Sequence, residues 1–485
     1  MIELHERIVV PRSIEDCFRY LLDFSTIEEW DPGVYRAEKV TGGAPREGSC
    51  FELILDSMGR RIPMEYELLR IIDGKELVLH GEGDAVRADD RITLERLGDE
   101  QTAIDYRAEL EFKGFASRAE VLMRPWLDRV GRHAVEGLKR ALTPTKEIPS
   151  VSVAERLKYT AVAPAAWEFT ERGYLKMENK GLSEFVDGAT AVITGPTSGL
   201  GLATAKLLAR LGARLILIGR NETKMEEAAR QIEAFCGAEK TNIEMVYADL
   251  SEMAQVERAA EEVRGLTEKV DILINNAGAL FGSRGETSEG HERTLAINLL
   301  CPYLLTEALR DSLEAGGGRV INISSGGMYT QGLKLDDMEF ENEKFDGAKA
   351  YARAKRALVA LTDHWAEQYP DRQVTFHSMH PGWADTPGVE KSLPGFHKIT
   401  KSRLRDARMG ADTIVWLATS AAVAGESGGF YLDRRPRPTA VFPGTEVSPD
   451  QRRQLVQWLN RNRKAGVGSR KRRSQPGPQQ PESPQ

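Results

Sequence analysis

Cysteine is scarce in this sequence. Cys17, Cys50, Cys236 and Cys301 lie far apart in a chain of 485 residues, without the spacing of a disulfide framework or a CxxC motif, so a reduced, cytoplasmic setting is the expectation. Histidine is scarce as well. The eight residues form no HxxxH or CxxH pair, which argues against a metal centre. No apolar run approaches a membrane span, and the N-terminus, MIELHERIVV, lacks the basic start and apolar core of a signal segment. An excess of basic charge is also missing. A net charge of −7 speaks against a general nucleic-acid binder, whose domain would be basic. What is there, 41% hydrophobic and 29% charged residues, is the composition of a globular protein long enough for two or three domains.

Pattern changes divide the chain. Residues 1–143 open on a strand candidate, IELHERIVV, followed by a helix whose Ser13 and Asp16 have capping-box spacing. Alternating runs come next: CFELIL, MEYELL, ELVLHG, RITLERL and AIDYRAELEF. A closing helix over 117–142 repeats apolar residues at Leu122, Trp126, Val130, Ala134 and Leu138, with Pro125 in its first turns or bending it. Residues 144–187 contain Pro144, Pro149 and Pro164 with Tyr159, Trp167, Phe169 and Tyr174. They are too apolar for a free linker and read as a docked connector. Residues 188–463 alternate strand and helix patterns, which implies an α/β domain with a parallel sheet covered on both faces. Residues 464–485 turn to Gly, Ser, Pro and Gln with one basic cluster at 470–473, the composition of a disordered tail.

In VITGPTSGLGLATAKLLARLGARLILIGRN a short apolar strand turns through Gly195, Gly199 and Gly201 into an amphipathic helix. Glycine permits positive φ and close approach of a pyrophosphate, to which the helix N-terminus offers free N–H groups. The GxxxGxG spacing resembles the short-chain dehydrogenase/reductase family, a doubly wound Rossmann fold. The likeness continues in order through ADL at Asp249, INNAG at Asn275–Gly278, LAINLL at Asn298, RVINISSGG at Ser325, YARAK at Tyr351–Lys355 and MHPGWADTPGV at Pro381–Thr386. It implies cofactor contacts at Gly195, Thr197, Ser198, Gly199, Leu200, Gly201, Asp249, Leu250, Asn276, Ala277, Gly278, Tyr351, Lys355, Pro381, Gly382 and Thr386. Arg220 ends the second strand where NAD-specific relatives carry an acid. A guanidinium there suits a 2′-phosphate, so NADPH is favoured over NADH.

Tyr351 and Lys355 lie four apart and share a helix face. A hydride moving to a carbonyl leaves an oxyanion that needs a proton, and a free phenol, with a pKa of about 10, is a poor base at neutral pH. A neighbouring ammonium lowers that pKa. By resemblance, Tyr351 is the acid/base, Lys355 tunes it and bonds the nicotinamide ribose, Ser325 donates to the substrate oxygen, and Asn298 holds a relay water. Ser324 is the alternative serine.

Ser325 and Tyr351 stand 26 positions apart, about twice the spacing of compact family members. The intervening LKLDDMEFENEKFDGAKA is similar to an insertion in the retinol dehydrogenase-like branch, which implies an apolar carbonyl or alcohol substrate. SSGGM, FDG, PGF and GGFYLDRRPRPT resemble an orphan branch whose substrate the likeness does not supply. Residues 1–143, most specifically LLDFSTIEEWDPGV, resemble the START-like helix-grip superfamily of polyketide cyclases and lipid carriers. That implies an α+β fold enclosing a hydrophobic ligand. Two functions fit: an NADP(H)-dependent oxidoreductase with a fused ligand-binding domain, or a non-catalytic lipid carrier or sensor reporting nucleotide state.

Overall fold

Alternation in the first 112 residues builds an antiparallel sheet. In the computed structural model, which describes residues 2–57, 60–113, 120–145, 147–148, 168–369, 373–386, 390, 395, 398 and 400–466, the chain runs β1 (Ile2–Val10), α1 (Ile14–Leu22), α2 (Ile27–Trp30), β2 (Val34–Lys39), β3 (Cys50–Ser57), β4 (Arg60–Ile72), β5 (Glu76–Gly83), β6 (Val86–Gly98), β7 (Gln101–Phe112) and α3 (Glu120–Leu142). Pro149, Pro164, Tyr159, Trp167, the side chains of Leu122, Pro125 and Trp126, and residues 467–485 lie outside the described residues. Ser13 caps α1 by accepting from the Asp16 amide, as its spacing implies. The strands follow the order β1-β7-β6-β5-β4-β3-β2. Met64, Tyr66 and Leu68 of β4 and Ala88, Ile92 and Leu94 of β6 point inward at alternate positions, against Ala134 and Leu138 of α3. This is the helix-grip arrangement. β2 has no counterpart among the alternating runs of the sequence, because only Val34 and Ala37 of its six residues are buried.

The second sheet assembles from β8 (Thr190–Thr194), β9 (Arg214–Gly219), β10 (Ile243–Tyr247), β11 (Ile272–Asn275), β12 (Arg319–Ile323), β13 (Thr375–Met379), β14 (Phe430–Leu432) and β15 (Arg435–Arg437), in the order β10-β9-β8-β11-β12-β13-β14-β15. All neighbours are parallel except β14 and β15. Wholly buried strands such as Thr190–Thr194 are what a sheet covered on both faces requires. The helices after α3 include α4 (Glu171–Leu175), α5 (Gly199–Arg210), α6 (Glu222–Cys236), α7 (Met253–Leu266), α8 (Arg293–Leu295), α9 (Cys301–Ala308), α10 (Arg310–Gly316), α11 (Gly347–Gln368) and α12 (Ala407–Thr419). One face of the sheet packs on α7 and α11. The other packs on α5 (Gly199–Arg210) and α12 (Ala407–Thr419). Strand order reverses between β8 and β11, which opens the crevice where α/β sheets bind ligands.

A half-buried charge network joins the two sheets' domains. Glu29 of α2 accepts from the Tyr20 hydroxyl and the Leu182 amide, both at 2.8 Å, and from Arg210 of α5 at 2.5 Å. Next to it Arg408 of α12 pairs with Glu28 and donates to the Ala37 carbonyl at 3.0 Å. Residues 181–185 run along this seam, and Ser183 donates to the Ala141 carbonyl at the end of α3.

The insertion before α11 is folded back on itself. Asp337 accepts from the amides of Glu341 and Asn342, Phe340 takes a positive φ of 52°, and its ring meets Phe345 at 5.5 Å. Glu339 ties this loop to His291 at 2.7 Å.

Helix α3 crosses α2 where Gly137 leaves room: a Cβ there would lie 1.9 Å from the Trp30 carbonyl oxygen. Backbone cannot give way as a side-chain tip can, so Gly137→Ala is expected to lower unfolding free energy by at least about 2 kcal/mol in urea titrations. A loss under about 0.5 kcal/mol, ordinary for surface changes, would contradict this packing.

Candidate active site

The chain leaves β8 through Gly195, with φ +66°, and enters α5 at Gly199, with φ +53°. Gly201 admits no side chain, since a Cβ would sit 2.2 Å from the Gly195 carbonyl oxygen and 2.5 Å from Asn276 Nδ2. The turn is lashed to the end of β11. Asn276 donates from Nδ2 to the carbonyls of Thr194 and Gly195 at 2.9 and 3.1 Å, and the amides of Asn276 and Ala277 donate to Thr194 Oγ1. Asn276 therefore braces the cradle, and the Leu200 side chain packs toward Gly410 of α12. Thr197 is half-buried and Ser198, the N-cap of α5, is exposed. The cradle thus presents backbone to the crevice at the N-terminus of a 12-residue helix and fits a pyrophosphate.

Arg220 stands at the end of β9 with 74% of its side chain exposed and donates to Asp249 at 3.2 Å. Burial would raise the Asp249 carboxyl, but hydrogen bonds from Ser251 and Arg220 outweigh it and hold the group below its usual range. Leu250 beside it is buried in the core. A cation at this strand end remains open to solvent on its outer side.

Further along the crevice, three groups converge. A Cβ on Gly278 would lie 2.7 Å from Asn298 Oδ1 and 3.3 Å from Lys355 Nζ. Asn298 sits in a π-helical turn, Ala296–Leu300, of the kind that often marks functional sites. Its Nδ2 donates to the carbonyls of Ala279 and Thr294 at 2.7 and 2.8 Å, while Oδ1 is buried without a partner. Lys355 donates to the Ile323 carbonyl at 2.8 Å and is 2% exposed. Burial drives its ammonium down to about 7.

Ser324 and Ser325 divide their tasks. The Ser324 hydroxyl is buried and spent on the Lys355 carbonyl at 3.1 Å. Ser325 caps the following turn by accepting from the Gly327 amide, and its hydroxyl also meets the Tyr351 phenol. Burial raises Tyr351 to about 12, with the Ser325 hydrogen bond pulling partly the other way. Here the structure departs from the expectation of a phenol lowered by lysine. Lys355 Nζ lies 5.6 Å from the Tyr351 ring centroid and turns to Ile323, so desolvation decides. A phenol so placed keeps its proton at neutral pH.

Pro381, Gly382 and Thr386 follow β13. Gly382 has φ +73°, and a Cβ on it would meet Arg405 Nε at 2.4 Å and the Phe169 carbonyl at 2.7 Å. Thr386 is half-buried. Phe169, His380, Arg405 and Asp433 surround this turn and were not foreseen as site residues. Phe169 belongs to the connector, more than 150 residues before Ser325, and no local motif marks it.

The interior of the first domain is less apolar than its pattern implies. Asp90, pushed by burial up to about 7, accepts from Tyr106 at 3.1 Å and neighbours Tyr66. Asp31 is pushed up to about 6 by burial. Among the described residues no three His, Cys, Asp or Glu side chains gather as a metal site requires, and no helix is long and apolar enough to cross a membrane.

Residues 189–395 match the short chain dehydrogenase family, and residues 1–143 match the family of polyketide cyclase / dehydrase and lipid transport proteins. Dehydrogenase/reductase SDR family member 12 from Homo sapiens is 40% identical over 277 residues, covering 56% of this chain and 86% of that protein. Its Bos taurus counterpart is 39% identical over 308 residues, covering 61% and 96%. Retinol dehydrogenase 13 from Homo sapiens is 30% identical over 306 residues, covering 60% and 89%.

The state of Lys355 predicts a stability effect. A lysine whose folded pKa falls from 10.5 to about 7 binds fewer protons folded than unfolded between those values. Its cost to the cofactor-free protein is full below about pH 7 and fades as pH rises toward 10.5. Lys355→Met should therefore raise Tm relative to the native protein, most at pH 6 and least near pH 10. A Tm gain that grows with pH would refute the buried ammonium.

Proposed function

The chain belongs to the short-chain dehydrogenase/reductase family, and we propose that it is an NADP(H)-dependent enzyme reducing an apolar carbonyl compound to an alcohol. Family membership makes it an NAD(P)-dependent oxidoreductase acting on CH–OH groups. The finer reading rests on one observation: Ser325 and Tyr351 in contact, beside the point where Gly278, Asn298 and Lys355 converge. When bound, the nicotinamide would supply a hydride. Tyr351 gives its proton to the substrate oxygen, and Ser325 holds that oxygen by a hydrogen bond. Lys355 would hold the cofactor ribose, and Asn298 Oδ1, which faces the same point as its ammonium, would complete a path for reprotonation. A phenol that keeps its proton supports the reducing direction.

For the cofactor, the backbone of residues 195–201 would hold the pyrophosphate, and Arg220 would grip the 2′-phosphate with Asp249 as its orienting partner. Residues 188–463 form the catalytic domain and 1–143 a hydrophobic-ligand domain, with 144–187 between them. The Glu29–Arg210 seam holds the two together, which raises the local concentration of a sparingly soluble substrate. The buried Asp90 and Tyr66, with the half-buried Tyr106, suit a ligand that is apolar overall but carries a hydroxyl or carbonyl. The name of retinol dehydrogenase 13 is in keeping with an apolar substrate. Unpaired thiols at all four cysteines support a cytoplasmic setting.

Tyr351→Phe should reduce turnover of carbonyl substrates by about 10²–10⁴-fold with NADPH affinity nearly retained, followed by NADPH absorbance and fluorescence titration. Retention of most of the rate would place the proton donor elsewhere. The native protein should bind NADPH at least tenfold tighter than NADH, about 1.4 kcal/mol, and Arg220→Asp should shrink or invert that ratio. Equal affinities in the native protein would contradict the role of Arg220.

A further inference from the structure

The connector contributes more than a tether. Residues 168–170 lie at the C-terminal edge of the second sheet, held by Arg405. Its guanidinium donates to the carbonyls of Glu168, Phe169 and Thr170 at 2.5, 3.2 and 3.1 Å and pairs with both carboxylate oxygens of Asp433. The Trp383 amide donates to the Phe169 carbonyl at 2.6 Å. Every one of these bonds to the connector is made to its backbone, so none of them depends on the Phe169 side chain.

That ring is half-buried. It meets His380 edge-on at 4.6 Å and Trp383 at 5.9 Å. Its Cε2 lies 3.3 Å from where a Cβ on Gly326 would be, with His380 Cε1 3.8 Å from the same point. Gly326 directly follows Ser325. The ring therefore fills the space between the loop that carries the substrate-binding serine and the Pro381–Trp383 turn. We propose that Phe169, supplied by the connector, is a specificity-determining residue of the reductase site, forming an apolar wall for the hydrocarbon body of a bulky carbonyl substrate. The inference rests on the reading of Ser325 and Tyr351 as the reacting pair.

His380 gives the wall one polar position. Burial, with Arg405 and Arg437 nearby, holds its imidazole well below the usual value and hence neutral. Its Nδ1 accepts from the Gly382 amide at 3.2 Å, which leaves the proton on Nε2, a buried atom without a partner.

The test uses the full chain and two substrates, a polycyclic aromatic ketone and a small soluble ketone. Phe169→Ala should lower kcat/KM for the polycyclic ketone at least about tenfold more than for the small one, chiefly through KM, and Phe169→Leu should recover most of the difference. The backbone bonds to Arg405 survive both changes, so an equal loss for both ketones, or no loss, would overturn the proposal. A second measurement does not need turnover. In a Tyr351→Phe background, the polycyclic ketone should perturb the fluorescence of bound NADPH, and adding Phe169→Ala should weaken that titration about tenfold. A native protein that turns over neither ketone, yet shows this weakening, would remove the reductase reading and keep the wall. An unaltered titration, or no perturbation at any ketone concentration, would remove the wall.

Discussion

Arg405 is the residue on which the active-site edge of the molecule depends. A guanidinium at 1% exposure is tolerable only if its donors are met, and here they are met by one carboxylate and three connector carbonyls. The same residue's amide and carbonyl bond Trp383 and Asp385, so the Pro381–Trp383 turn, the connector and the end of β14 share one anchor. Asp433 in turn stands with Arg434 in a tight hairpin in which both residues have positive φ, 53° and 57°. Turns of that shape favour Asn and Gly. The strain is offset because each side chain is locked in a buried pair, Asp433 with Arg405 and Arg434 with Asp412. Breaking one such pair typically costs about 3–5 kcal/mol. A chain begun at residue 188 would strip Arg405 of its three carbonyl acceptors, so residues 168–170 belong with the fold around the second sheet.

Low local dielectric shapes the chemistry as well as the scaffold. Burial moves Lys355 down and Tyr351 up, which sets a protonated phenol beside a lysine that the cofactor-free protein accommodates at a cost. On the proposed roles of Tyr351 and Lys355, function is stored as destabilisation, a common trade in active sites. The first domain repeats the theme, with Asp90 and Asp31 raised by the same desolvation. Between the domains the half-buried Glu29–Arg210 pair is rigid and directional, as a greasy contact would not be.

Much of this was legible in the sequence. Period-two alternation located β1 and β3–β7, and ordered glycine, asparagine, serine and tyrosine motifs located the crevice, because those residues answer to local backbone geometry. β2 was not legible, since only two of its six residues face the core. Residue identity did not reveal the π-helical turn at Asn298, which arises from packing around residues 296–300. The direction of the Tyr351 shift was also hidden: sequence gives the four-residue spacing to Lys355, but the hydrogen bond to Ile323 and the depth of burial are tertiary. Phe169 was legible only as one aromatic of a docked connector, and its pairing with Arg405 was hidden for a related reason. Their partnership spans more than 230 positions, and nothing in either neighbourhood announces the other.

The central claim is that the connector and the catalytic domain together form one site for an apolar carbonyl. A crystal structure of the Tyr351→Phe protein with NADPH and a polycyclic ketone tests it most directly. The ketone oxygen is expected within hydrogen-bond reach of Ser325 and beside residue 351, with the ring system against Phe169. A ketone bound only inside the first domain, or seated in the crevice away from both Ser325 and Phe169, would contradict it.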